Sequence, residues 1–112
     1  MAVIAVLTNL PDSETAFNLA REVVHLRLAA CANVLAPATS FYRWEGREEQ
    51  ATEVPVLIKS TPECYVRLES AIRKLHPYSL PEIIAWPLEG SPAYLRWVEQ
   101  ECQPEGAAVP KP

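Results

Sequence analysis

Apolar residues run unbroken from Ala2 to Leu7. A run of this kind, β-branched in part, predicts a strand buried on both faces and so central in a sheet. Thr8-Asn9-Leu10-Pro11 reads as a turn. Asp12 reads as a helix N-cap, with Glu14 in the first turn where a carboxylate suits the helix dipole. Ala16, Leu19, Ala20, Val23 and Leu26 then recur at helical spacing, so an amphipathic helix is expected over about residues 12–29. From Cys31 to Trp44 strand formers dominate, interrupted by Pro37, which places this segment at an edge or a bulge. Alternation puts Tyr42 and Trp44 on one face and Phe41 on the other. Glu45-Gly46 signals a turn, and a third strand follows from about Gln50 to Lys59. Its Thr52, Val54, Val56 and Ile58 share one face; Glu53, Pro55, Leu57 and Lys59 share the other.

Thr61-Pro62-Glu63 carries a helix start, a cap followed by proline at the first helical position. Cys64, Leu68, Ala71, Ile72 and Leu75 then form one apolar stripe, and His76-Pro77 ends it. Glu82 to Trp86 reads as a fourth strand. Ser91-Pro92 opens a short helix through Tyr94, Leu95, Val98 and Cys102. The order β-α-β-β-α-β plus a terminal helix is that of an α+β, ferredoxin-like sandwich. Right-handed crossovers put the first and third strands in the middle and both main helices on one face. The other face is left bare, and the second and third strands are about twice the usual ~5–6 residues, so a long hairpin should project. A second copy of the chain is the simplest cover for both. The domain is expected over residues 1–103, with the proline-rich 104–112 a flexible tail.

A length of 112 residues, with 49% hydrophobic, suits one globular domain. Ten basic and 14 acidic side chains give a net charge of −4, which argues against nucleic-acid partners. Cys31, Cys64 and Cys102 make no C-x-x-C pair, so neither a zinc ribbon nor a redox dithiol is indicated. Unclustered thiols suit a reducing compartment. Ala2–Leu7 is too short to span a bilayer and lacks a signal-peptide pattern, so a cytoplasmic protein without membrane contact is expected. No nucleophile elbow or phosphate loop is present, which points away from an enzyme.

The chemistry concentrates in the loop from Leu75 to Trp86. Pro77 and Pro81 stiffen it, and it carries His76, Tyr78 and Glu82. Lys59 closes the third strand and Glu82 opens the fourth, so both are expected at one end of the sheet near His76. Lys59, His76, Tyr78 and Glu82 are therefore the candidate ligand cleft, and His76 with Glu82 the candidate metal ligands. The amine and carboxylate suit a small anion or a weakly held cation, or equally a structural ion pair at a subunit junction. Phe41, Tyr42 and Trp44 are the candidate subunit interface. His25 reads as a solvated helix residue and Cys31 as an inert thiol.

Six motifs then fall in one order. They are Pro11-Asp12, Arg27 to Asn33, Ser40 to Gly46, Ile58-Lys59, His76-Pro77-Tyr78 with Pro81 to Ile84, and Tyr94 to Trp97. In this the chain resembles the CutA family of divalent-cation-tolerance proteins. The resemblance implies a tight homotrimer, kinship with the PII signal proteins that bind small ligands between subunits, and no catalysed reaction. It also implies a part in tolerance to divalent metals, copper especially. Bacterial copper sites in that family use a cysteine ahead of the Pro-Asp turn and a histidine pair ahead of Pro-Tyr. Here Thr8 and Leu75 stand at the cysteine and at the first histidine. Only His76 remains, so Cu2+ or another divalent cation should bind weakly, with no firm cofactor. The expected function is a trimeric, non-enzymatic protein of metal tolerance that binds metal or small ligand weakly at inter-subunit clefts. A PII-like regulator of a small metabolite is the alternative. An acylphosphatase-like enzyme ranks below it, because no arginine and asparagine on a phosphate loop can be placed.

Overall fold

The apolar N-terminal run becomes β1 (Val3–Leu10), the strand around which the sheet is laid. The structure is a computed structural model that describes residues 2–103, so the expected tail at 104–112 lies outside the described residues. β1 is followed by α1 (Ser13–His25), β2 (Cys31–Val34), β3 (Ala38–Trp44) and β4 (Arg47–Ser60). A 3-10 turn over Pro62–Cys64 leads into α2 (Tyr65–Leu75), and β5 (Ile84–Leu88) and α3 (Pro92–Glu101) complete the chain. The strands lie in the order β2-β4-β1-β5, all neighbours antiparallel, and β3 continues the pairing along the far half of β4. This is the ferredoxin-like α+β arrangement expected from the element order.

Pro37 acts as the pattern required. It cannot donate to a ladder, so the expected second strand divides into β2 and β3, each paired with β4 on its own side of the break. α1 stops at His25, earlier than expected, because Arg27 adopts a left-handed φ of 62°. β1 continues through the expected turn to Leu10, since Asn9 and Leu10 pair with Pro55 and Val54.

Val6 and Leu10 of β1, with Val54, Val56 and Ile58 of β4, pack against Ala16, Leu19 and Val23 of α1 and Leu68 and Ile72 of α2. Leu10, Leu19, Ile58, Leu68 and Ile72 are fully buried. Each contributes about 1.5–3 kcal/mol relative to exposure, so the inner half of β4 is firmly anchored. Its outer half is not, and carries the exposed β3–β4 ribbon outward, giving overall extents of 54 × 28 × 23 Å. The ribbon turns at Glu45 (φ 52°) and Gly46 (φ 79°), two left-handed residues as a type I′ hairpin needs. The sheet face opposite α1 and α2 is not wholly bare. Val3 there joins Cys64, Val98 and Cys102 in a second small core beneath α3.

Candidate functional site

His76 caps α2 in an extended conformation (φ −89°, ψ 133°), as a residue before proline must. That conformation turns its ring inward, where it is only 7% exposed. Nε2 donates to the Asn9 carbonyl at 2.7 Å, and Nδ1 accepts the Tyr78 N–H at 3.3 Å. These partners assign the neutral Nε2–H tautomer. Burial pushes the imidazole below its ordinary 6.5, against the opposing pull of the Asn9 bond and the Glu53 carboxylate.

Tyr78 sits with its ring centroid 4.8 Å from the imidazole, and its hydroxyl donates to Glu53 Oε2 at 3.0 Å. Its phenol is pushed up to about 12, by burial first and then by Glu53. Asn9 faces both ways. Its carbonyl holds His76, and its Nδ2 donates to Glu82 Oε1 at 3.0 Å. Between this loop and the root of the hairpin lies a pocket of about 640 Å³. Tyr42, Trp44, Tyr78 and Leu80 form apolar walls, and Asn9, Ser40, Glu53 and Glu82 supply the polar positions.

The fold therefore gathers His76, Tyr78 and Glu82, and adds Asn9 and Glu53. It does not bring Lys59 to them. Lys59 pairs in register with Ala5 and hydrogen-bonds the Asn33 side chain. The reason is strand direction. β4 and β5 are both antiparallel to β1, so the end of one and the start of the other lie at opposite ends of the sheet. Four residues of β1, roughly 13 Å, separate the Lys59 register from Asn9. Glu53 was legible as a residue on the outward face of its strand. Asn9 was hidden in what read as a turn.

A resident metal does not fit this donor set. Both imidazole nitrogens are engaged within the chain, and the two carboxylates are each oriented by a different donor. Among the described residues no three His, Cys, Asp or Glu side chains converge as a metal site. Thr8 is fully buried and offers only a hydroxyl. Phe41, Tyr42 and Trp44, the expected interface, stand on the hairpin 73%, 46% and 43% exposed.

Residues 4–101 match the family model of the CutA1 divalent ion tolerance protein. The divalent-cation tolerance protein CutA of Thermus thermophilus is 40% identical over 96 residues, which cover 85% of this chain and 93% of that protein. A Thermus thermophilus structure of this protein superposes with a TM-score of 0.87 at 38% identity, covering 89% of this chain and 98% of that one. The periplasmic divalent cation tolerance protein CutA of Archaeoglobus fulgidus superposes with a TM-score of 0.85 at 30% identity, over 88% and 97% of the two chains. Protein CutA of Homo sapiens is 40% identical over 100 residues, but this chain spans only 56% of its length. No helix among the described residues is long and apolar enough to cross a membrane. With its sequence matched from end to end of the folded domain and its strand order shared with solved relatives, the chain belongs to the CutA1 family of divalent ion tolerance proteins.

Proposed function

We propose that this chain acts as a homotrimeric, non-enzymatic protein of divalent-cation tolerance in the cytoplasm. It binds a small ligand, or weakly a divalent cation such as Cu2+, in clefts that a neighbouring copy closes. The observation that carries this reading is the pocket between the hairpin root and the His76–Glu82 loop, flanked by exposed Phe41, Tyr42 and Trp44. Apolar surface of that kind is covered when subunits associate. The Thermus thermophilus relative bears the name of a divalent-cation tolerance protein, which supports the metal connection.

Copper binding is weak on this reading because His76 must give up its bond to Asn9, or Nδ1 its bond to Tyr78, before it can ligate. One freed imidazole with a carboxylate falls short of the several soft or imidazole ligands that firm copper sites use. Light scattering of the purified chain tests the assembly. A mass of three subunits is expected, and a single-subunit mass at micromolar concentration overturns it. Calorimetric titration with Cu2+ tests the site. Binding weaker than micromolar, fading below about pH 6 as protons compete for the imidazole, is expected. Submicromolar affinity that survives His76→Ala overturns the assignment.

A further inference from the structure

We infer that the pocket recognises an organic cation, a small amphipathic amine whose charge sits against Glu53 and Glu82 and whose apolar body packs on Tyr42, Trp44 and Tyr78. This rests on the reading above that the pocket is the binding cleft, and it names the chemistry of the occupant. The charge balance is one-sided. Glu53 and Glu82 both line the pocket, and no lysine, arginine or histidine does. Asp12 lies near enough to act on the Tyr78 phenol, adding a third negative charge to the surroundings. The nearest cation in sequence, Arg43, alternates to the other face of β3 and pairs with Glu48 at 3.1 Å. A phosphate or carboxylate ligand would meet repulsion here, and a protonated amine would be attracted.

The carboxylates are also prepared for a donor. Glu53 accepts from Tyr78 and Glu82 from Asn9, so each is oriented by a bond through one oxygen. A carboxylate offers about four lone-pair sites, which leaves capacity for an incoming N–H. The walls suit the rest of such a molecule. Tyr42 and Trp44 share a strand face, and the indole of Trp44 is the strongest of the aromatic partners for a cation. A bare metal ion would use none of this apolar surface, whereas about 640 Å³ matches the volume of small-molecule sites.

The test is calorimetric titration of the assembled full chain at moderate salt with three isosteric probes: 2-phenylethylamine, 2-phenylethanol and 3-phenylpropionate. The amine is expected to bind saturably at about one site per chain, roughly tenfold or more tighter than the alcohol, and the carboxylate least. Glu82→Gln, on an exposed side chain, should weaken the amine about five- to tenfold and leave the alcohol unchanged. Glu53→Gln should do the same where it folds, and Trp44→Leu should weaken amine and alcohol together. Equal or tighter binding of 3-phenylpropionate overturns the inference. So does amine binding indifferent to Glu82→Gln, or no amine binding at all, the result expected if a neighbour's own side chain fills the pocket. Light scattering and the copper titration on the same preparation separate the two readings. A trimer with weak copper binding and no amine preference defeats this inference alone.

Discussion

Thr8 holds a hydroxyl in the core with nothing to bond. It is fully buried, and its Oγ1 has no hydrogen-bond partner among the described residues. An unsatisfied buried polar atom costs about 1–3 kcal/mol, so Thr8→Val should raise stability by about 1 kcal/mol or more in urea unfolding. A loss would show that the hydroxyl has a partner, such as a trapped water. His76 is the opposite case, a buried polar ring with both nitrogens satisfied. Its folded pKa lies below the ordinary 6.5, so the unfolded chain takes up the proton first as pH falls. Its contribution is therefore full above 6.5 and declines from there down to the lowered folded value. The melting temperature should drop between about pH 7.5 and about pH 5.5, above the range where carboxylates titrate. His76→Gln should flatten that drop and lower stability at pH 7.5 by about 1–3 kcal/mol for each stranded backbone group. A variant with the same pH profile as the parent would place the titration elsewhere. His76 was legible as a polar residue at a helix stop. Its bonds were not, because one partner is the backbone carbonyl of Asn9, 67 residues away.

Among the elements, those with strong local signals emerged where the pattern put them. Asp12 and Ser91 cap α1 and α3 through Thr15 and Tyr94, and Pro62 opens the 3-10 turn before α2. Ends set by pairing were harder to read. β5 begins at Ile84 and not Glu82, because register with β1 runs from Leu7↔Ile84 to Val3↔Leu88 while Glu82 spends its side chain on Asn9. The hairpin turn was legible as Glu45-Gly46, but the left-handed conformation of a glutamate was not. That strain is testable. A non-glycine residue in this region costs about 1–2 kcal/mol, and asparagine tolerates it best. Glu45→Asn should stabilise the chain by about 0.5–1 kcal/mol. Gly46→Val should destabilise it by about 1–2 kcal/mol on backbone grounds alone, since no atom lies within 4 Å of where a Cβ would stand. Thermal melts of both decide it, and a Glu45→Asn variant less stable than the parent would mean that the glutamate makes a contact worth more than its strain.

For the whole molecule, the order of elements was enough to give the architecture, because crossover handedness leaves few topologies. It was not enough to gather the site, since Lys59 and Glu82 seemed neighbours only while the directions of β4 and β5 were ignored. What the single chain leaves open is its surface. Trp44, Phe41, Leu80, Ile84 and Trp86 are all at least 40% exposed, and most lie on or beside the ribbon that one core cannot cover. In the proposed trimer these residues form the seam. A charge placed there is left without a partner, at a cost of several kcal/mol, so Trp44→Asp should lower the mass seen by light scattering and reduce the melting temperature together. Phe17→Ser provides the control, because Phe17 is 48% exposed on α1, away from the ribbon, and its loss should leave the mass unchanged. Dissociation should also make the melting of Trp44→Asp depend on protein concentration, as stability shared between subunits must. A Trp44→Asp protein that keeps a three-subunit mass and the parent's melting temperature would mean that the indole faces solvent in the assembly, and that the seam runs elsewhere.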